Sequence, residues 1–282
     1  MDQKFEHNPL PYVLTWPFLW IFIQWIRIKK VFYGGHKIKT YSFIWDGIPS
    51  VKRMREGAAR WPALDAIYNW RPTRRGLVGF MDSYYMHGRS CQALRNRYRL
   101  VVRTTTNEIV ASVRKYKEAR ILSLAAGTCQ SVFEASKDNV GKVKILAVDT
   151  DKSAIAASKE LARKNGVDAI CWKLGDVLNP KNVIGNFKPT IVEVVGLFDY
   201  LSDKEIKDLI RRLTQIVAPG TVLISAHIHP NQESLVIKEL LDWEMNYRTK
   251  KDFKSLILAS GLVNCQFQTE PHGVFTVVRG EF

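Results

Sequence analysis

From Arg120 to its end the chain repeats one pattern: a short apolar run, a turn of small residues, then a helical stretch. Ile121-Leu-Ser-Leu-Ala is followed by a helical segment at 129–137. Val143-Lys-Ile-Leu-Ala-Val-Asp149 ends in an acid, and the Ala/Lys-rich helix at 151–165 stops at Asn165-Gly166, a left-handed terminator. Runs at 169–174 and 189–195 end at Gly175-Asp176 and Gly196. Ser202 with Glu205 forms a capping box for the next helix, and Pro219-Gly220 turns into a run at 221–226. Helical segments follow at 232–245 and 249–260, then strands at 262–268 and 274–280. Seven strands alternating with helices predict an α/β, doubly wound, mostly parallel sheet. The last two strands are joined through Pro271-His-Gly, too short a link for a parallel crossover. They form a hairpin, so the C-terminal strand runs antiparallel.

The part before Arg120 is different in kind. Residues 1–119 hold 21 Lys+Arg against 8 Asp+Glu, whereas residues 120–282 hold 21 against 19. Nearly all of the net charge of +15 therefore sits in the front, with six of the eight Trp in the first 70 residues. Such an excess points to a polyanionic partner: nucleic acid, an anionic membrane or an acidic ligand. Leu10 to Ile26 is almost wholly apolar and is followed by Arg27, Lys29 and Lys30. Pro11 and Pro17 interrupt it, and as a helix it reaches about 25 Å, short of a comfortable span. Trp16, Trp20 and Trp25 suit the headgroup boundary. Asp2, Glu6 and a single Lys before the run make a secretory signal a poor reading. Three regions follow: an apolar, Trp-rich segment at 1–47, in membrane contact or packed on the protein itself; a basic helical cap region at 48–118; and the α/β domain at 119–282. In the second, Ser90 stands near a helix N-cap, and Arg95, Arg99 and Arg103 form one basic stripe. Cys91, Cys129, Cys171 and Cys265 share no metal-type spacing, so a reducing compartment is expected and no metal is assigned.

Leu122-Ser-Leu-Ala125-Ala126-Gly127-Thr128-Cys129 follows the first strand. Asp149 ends the second, 22 residues beyond Gly127, and Asp176-Val177 follow the third. This arrangement resembles class I S-adenosylmethionine (SAM) methyltransferases, with their Rossmann-like sheet and reversed last strand. In that family the first turn is Gly-rich and preceded by an acid; here only the central Gly127 remains, with Ala125 and Cys129 at its flanks and Ser123 at the acid's position. The resemblance implies SAM as cofactor. It implies a cofactor site of Ala125, Gly127, Thr128, Asp149, Thr150, Asp176, Val177 and Gly196, with Asp149 on the ribose hydroxyls and Asp176 on the adenine. Gly196-Leu-Phe-Asp199-Tyr200-Leu and Leu241-Asp-Trp243-Glu-Met-Asn-Tyr247-Arg248 are similar to methyltransferases assigned to making 3-hydroxypalmitic acid methyl ester. The likeness covers roughly residues 90–282 and leaves the front without a pattern.

The implied reaction is transfer of a sulfonium methyl group to a nucleophile. A carboxylate acceptor is ionised at neutral pH and needs no base. Alignment and exclusion of water then carry catalysis. The candidate catalytic residues are Asp199, Tyr200, His229 and Arg248, with Arg248 holding an acceptor carboxylate and the Arg95/Arg99 stripe second. His227 or His229 is a candidate base for a hydroxyl or amine acceptor. The expected function is methylation of a fatty-acyl or lipid carboxylate or hydroxyl by a protein peripheral to the inner face of the membrane in the cytoplasm. The alternatives are an RNA methyltransferase gripping its substrate with the basic front, or a SAM-binding protein that does not catalyse. The sequence leaves the oligomeric state open.

Overall fold

A computed structural model describes residues 4–8, 10–32, 47–71, 75–241 and 243–282. Residues 33–46 of the Trp-rich front, and Asp242 of the Leu241–Trp243 segment, lie outside the described residues.

The chain divides into two compact units. The first comprises residues 1–96, 230–245 and 271–274; the second comprises 97–229, 246–270 and 275–282. The second unit holds the sheet: β1 (Ala119–Leu124), β2 (Val143–Asp149), β3 (Ile170–Leu174), β4 (Ile191–Val195), β5 (Val222–Ile228), β6 (Val263–Thr269) and β7 (Phe275–Glu281). Their spatial order is β3-β2-β1-β4-β5-β7-β6. The β3-β2-β1-β4-β5 ladders are parallel, and β7 pairs antiparallel with both β5 and β6. This is the expected Rossmann-like sheet with its reversed C-terminal strand. Its order reverses between β1 and β4, the point where ligands bind in open α/β sheets.

The central strands are predominantly apolar because helices cover both faces of a parallel sheet. Leu122, Leu124, Val192, Val194 and Leu223 are buried with Ile206, Ile210 and Leu213 of helix Asp203–Thr214 and with Phe253 and Ile257 of helix Lys250–Leu258. Helix Asp203–Thr214 starts with the capping box read from the sequence: Ser202 accepts from the Glu205 N–H, and Glu205 reaches back to the Ser202 N–H at 2.8 Å. Helix Lys152–Asn165 ends at Gly166 with φ +64°, the left-handed stop.

Two local readings are corrected. The helix expected over 232–245 is only Ser234–Leu240, and the described residues between it and Lys250 have no regular structure. The helix expected to be capped by Ser90 runs Arg89–Tyr116, and Ser90 lies inside its first turn. The cap is the carboxylate of Glu233, which accepts from the N–H of Arg89 at 3.0 Å and of Ser90 at 2.8 Å. A carboxylate satisfies two orphan donors there and meets the positive end of the helix dipole.

In the first unit, helix Leu10–Phe32 contains Pro17 and has 23 residues. It is thus about 35 Å long, more than the apolar run alone suggested. No helix of the described residues is long and apolar enough to cross a membrane. Phe18, Ile21, Trp25, Ile28 and Phe32 are all exposed, and their spacing of three and four puts them on one stripe. Arg95 does not form part of a solvated basic face. Its guanidinium grips Glu6 through Nε at 2.8 Å and Nη2 at 2.6 Å.

Candidate active site

The cofactor-site candidates stand along the C-terminal ends of β3, β2, β1 and β4, four adjacent strands. After β1 the chain turns sharply. Ala125, Gly127 and Cys129 all have positive φ, at 52°, 53° and 58°. The turn is stitched to β2 by its own backbone: the Ala126 N–H donates to the Val148 carbonyl at 3.1 Å. The Gly127 N–H donates to Asp149 Oδ2 at 2.8 Å. The other Asp149 oxygen accepts from the Asp151 N–H at 2.8 Å. Asp149 and Gly127, 22 residues apart in sequence, thus touch. Thr150 follows, exposed. The Gly175 N–H donates to the Asp149 carbonyl at 3.0 Å, so the turn after β3 continues the same rim. There Asp176 is exposed and accepts from the Leu178 N–H at 2.9 Å, while Val177 is buried. Thr128 is half-buried in the β1 turn. Gly196, just past β4, has φ +91°, and a Cβ built there meets nothing within 4 Å. A rim with a carboxylate beside a close-approach turn, and open space past β4, fits an adenosyl ligand.

The four catalytic candidates cluster beyond β4 and β5. Asp199 is buried; its Oδ1 accepts from the Ile228 N–H at 2.9 Å and lies 3.1 Å from His227 Nδ1. Its Oδ2 lies 3.5 Å from the guanidinium of Arg97, which itself packs over the Phe275 ring. Tyr200, half-buried, is fixed through its backbone, its carbonyl accepting from the Asn246 side chain at 3.0 Å. Arg248 is buried and spends its donors on the protein: Asp203 at 2.7 Å, the Leu201 carbonyl at 2.5 Å, the Phe198 carbonyl at 3.2 Å, and His227 Nε2 at 3.4 Å. It clamps the loop after β4.

Both imidazoles are buried within the protein. Arg248 can only donate, so His227 Nε2 accepts and Nδ1 carries the proton; Nδ1 lies 3.1 Å from Asp199 Oδ1 without the geometry of a hydrogen bond. His227 is wholly buried and stacks on Phe253. His229 Nδ1 bonds the Arg248 carbonyl at 2.8 Å, and Nε2 bonds Thr276 Oγ1 at 2.7 Å. A carbonyl only accepts, so Nδ1 donates and Nε2 accepts. Burial pushes the His229 imidazole below its ordinary range.

Two residues here have no counterpart in the sequence reading. Arg97 is one; it lies two residues along the helix from Arg95, off the stripe. The other is Glu193 in the middle of β4, four per cent exposed. It is the direct β-ladder partner of Ser123. Its Oε2 accepts from Ser123 Oγ at 2.5 Å and its Oε1 from Ser131 Oγ at 2.8 Å. A lone acid in the apolar run Ile191-Val-Glu-Val-Val was the available signal.

The sequence pattern of a family described as "Putative methyltransferase" matches residues 24–281. The chain belongs to this family. With the sheet above, it is a class I SAM-dependent methyltransferase, and its cofactor is SAM. No curated protein matches it. Among solved structures it is similar to a protein from Bordetella parapertussis described as a possible exported protein (TM-score 0.66, 15% identity, 83% of this chain and 86% of that one). It is also similar to the SAM-dependent methyltransferase SibL in its apo form (TM-score 0.53, 13% identity, 86% and 70% coverage). A third is an O-methyltransferase family protein from Burkholderia thailandensis (TM-score 0.52, 14% identity, 83% and 71%). At such identities the likeness is one of fold.

Proposed function

We propose that this methyltransferase esterifies a carboxylate on a fatty-acyl or other lipid molecule while its first unit rests on an anionic membrane surface. One observation carries the choice of acceptor. His229, just past β5, uses both imidazole nitrogens inside the protein, and His227, within β5, is wholly buried with its Nε2 bonded to Arg248. A hydroxyl acceptor needs a base to take its proton. A carboxylate is already the nucleophile.

SAM supplies the electrophilic methyl group when bound. Around it the chain's own residues orient and exclude water. Gly127 offers backbone at close range, Asp149 a carboxylate for the ribose, and Asp176 with Val177 the rim past β3; Ala125, Thr128, Thr150 and Gly196 complete the cradle. Asp199 and Tyr200 border the reacting end. Arg248 acts as a positioning residue: by clamping the carbonyls of Phe198 and Leu201 it sets the loop that carries them. His229, tied to the Arg248 carbonyl and Thr276, braces that arrangement. The exposed stripe Phe18, Ile21, Trp25, Ile28 and Phe32 supports the membrane reading. So do the excess basic residues of the front, each contributing about 1 kcal/mol near an anionic leaflet. The similarity of Gly196–Leu201 and Leu241–Arg248 to makers of 3-hydroxypalmitic acid methyl ester supports a fatty-acyl acceptor.

The test uses full-length protein, methyl-labelled SAM and anionic vesicles carrying a long-chain fatty acid. The expected label enters the vesicle lipid and is released as methanol by mild alkali, as an ester requires. Label that resists alkali, or that enters added RNA instead, contradicts the reading.

A further inference from the structure

Class I methyltransferases of this type carry an acid near the end of β1; here Ser123 stands in its place. The structure shows where a carboxylate has gone. Glu193 lies across the β1–β4 ladder from Ser123 and is buried. Ser123 and Ser131 donate one hydroxyl to each of its oxygens. Ser131 is half-buried in the first turn of helix Gln130–Ser136, the helix that the turn opens. Among the described residues no cation comes within ion-pair distance of Glu193, and the Cys129 thiol, also buried, is its neighbour. Arg97 acts on it only at longer range and is already set against Asp199. A buried acid without a counter-charge is costly to keep, and such perturbed acids cluster at functional sites.

We propose that Glu193 provides from β4 the negative charge that pairs with the ammonium end of the cofactor, Ser131 standing between the two. Glu193 thereby selects for the aminoacyl arm and leaves the adenosine half to Asp149. This rests on the SAM reading of the site. Burial raises the Glu193 carboxyl, offset in part by the two hydroxyls and by Arg97. The cation on the ligand favours the ionised form and completes the group.

The test is calorimetric titration of the full-length protein with two ligands. One is SAM; the other is methylthioadenosine, which keeps the adenosine and sulfur but lacks the aminoacyl arm. Glu193→Gln keeps the shape and the hydroxyl partners without the charge. The expected result is SAM binding weakened about tenfold or more, a loss typical of an unmade charged hydrogen bond, with methylthioadenosine binding unchanged. Equal weakening of both ligands shows a structural role and overturns the proposal; so does no change in either. Wild-type protein that binds neither ligand overturns the cofactor reading itself, a distinct outcome. If Glu193→Gln does not fold, the double variant Ser123→Asp with Glu193→Ser takes its place, moving the acid to β1. Retained preference for SAM over methylthioadenosine then supports the proposal, and loss of that preference overturns it.

Discussion

At the scale of single residues, two buried titratable groups pull stability in opposite directions with pH. Burial lowers the His229 imidazole in the fold, so the unfolded chain binds a proton more readily. The stability this neutral ring contributes is present above its unfolded pKa of about 6.5 and is lost as pH falls toward the folded value. Glu193 has the opposite sign. Its folded pKa is raised, so its contribution is full below the unfolded value near 4.3 and is lost as pH rises through the folded one. At neutral pH the buried Glu193 carboxyl is therefore a burden on the ligand-free protein. Glu193→Gln is expected to be more stable than the wild type in urea at pH 7–8 without SAM, with the gap closing as the pH is lowered toward 4. A variant less stable than the wild type at neutral pH would show that the carboxylate holds the fold together. Such trade of stability for a charged site is common where binding requires it.

At the scale of elements, the β1 turn shows what replacing glycine costs. Ala125 and Cys129 both stand in the left-handed region, where an L-residue costs about 1–2 kcal/mol. Ala125→Gly is expected to raise stability by about 1 kcal/mol, read as a shift in the urea midpoint with an unchanged slope. A loss of stability would mean that Ala125 makes packing contacts worth more than its strain. The sequence showed that these positions are small but not that they are strained, because strain lives in backbone angles. Other features were legible because their signals are local. The range Val143–Asp149 follows from an apolar run with an acid at its end, and the Ser202–Glu205 box from spacing alone. What was not legible depends on partners distant in sequence. The start of helix Arg89–Tyr116 is capped by Glu233, more than 140 residues away, so Ser90 looked like the cap. Arg248 looked like a free carboxylate receptor because nothing local reveals Asp203 and the carbonyls of Phe198 and Leu201 around it. Glu193 and Ser123 form their pair only once β1 and β4 lie side by side.

At the scale of the whole molecule, the division of charge is the feature that links fold to place. The catalytic unit is an ordinary class I sheet with a rim at its switch point. The basic excess and the exposed apolar stripe belong to the front of the chain. A span is not required for membrane contact; an interfacial helix binds by apolar area on one face and by basic charge. The most direct measurement compares two acceptors in one full-length variant, Phe18→Ser with Trp25→Ser, both residues being exposed in helix Leu10–Phe32. Methyl transfer to a fatty acid in anionic vesicles is followed beside transfer to a short, water-soluble carboxylic acid. The expected result is a loss of tenfold or more with the vesicle acceptor, as in about 1.4 kcal/mol of surface affinity, and an unchanged rate with the soluble acid. Equal rates for variant and wild type on both acceptors would contradict a methyltransferase that works at the membrane through its front.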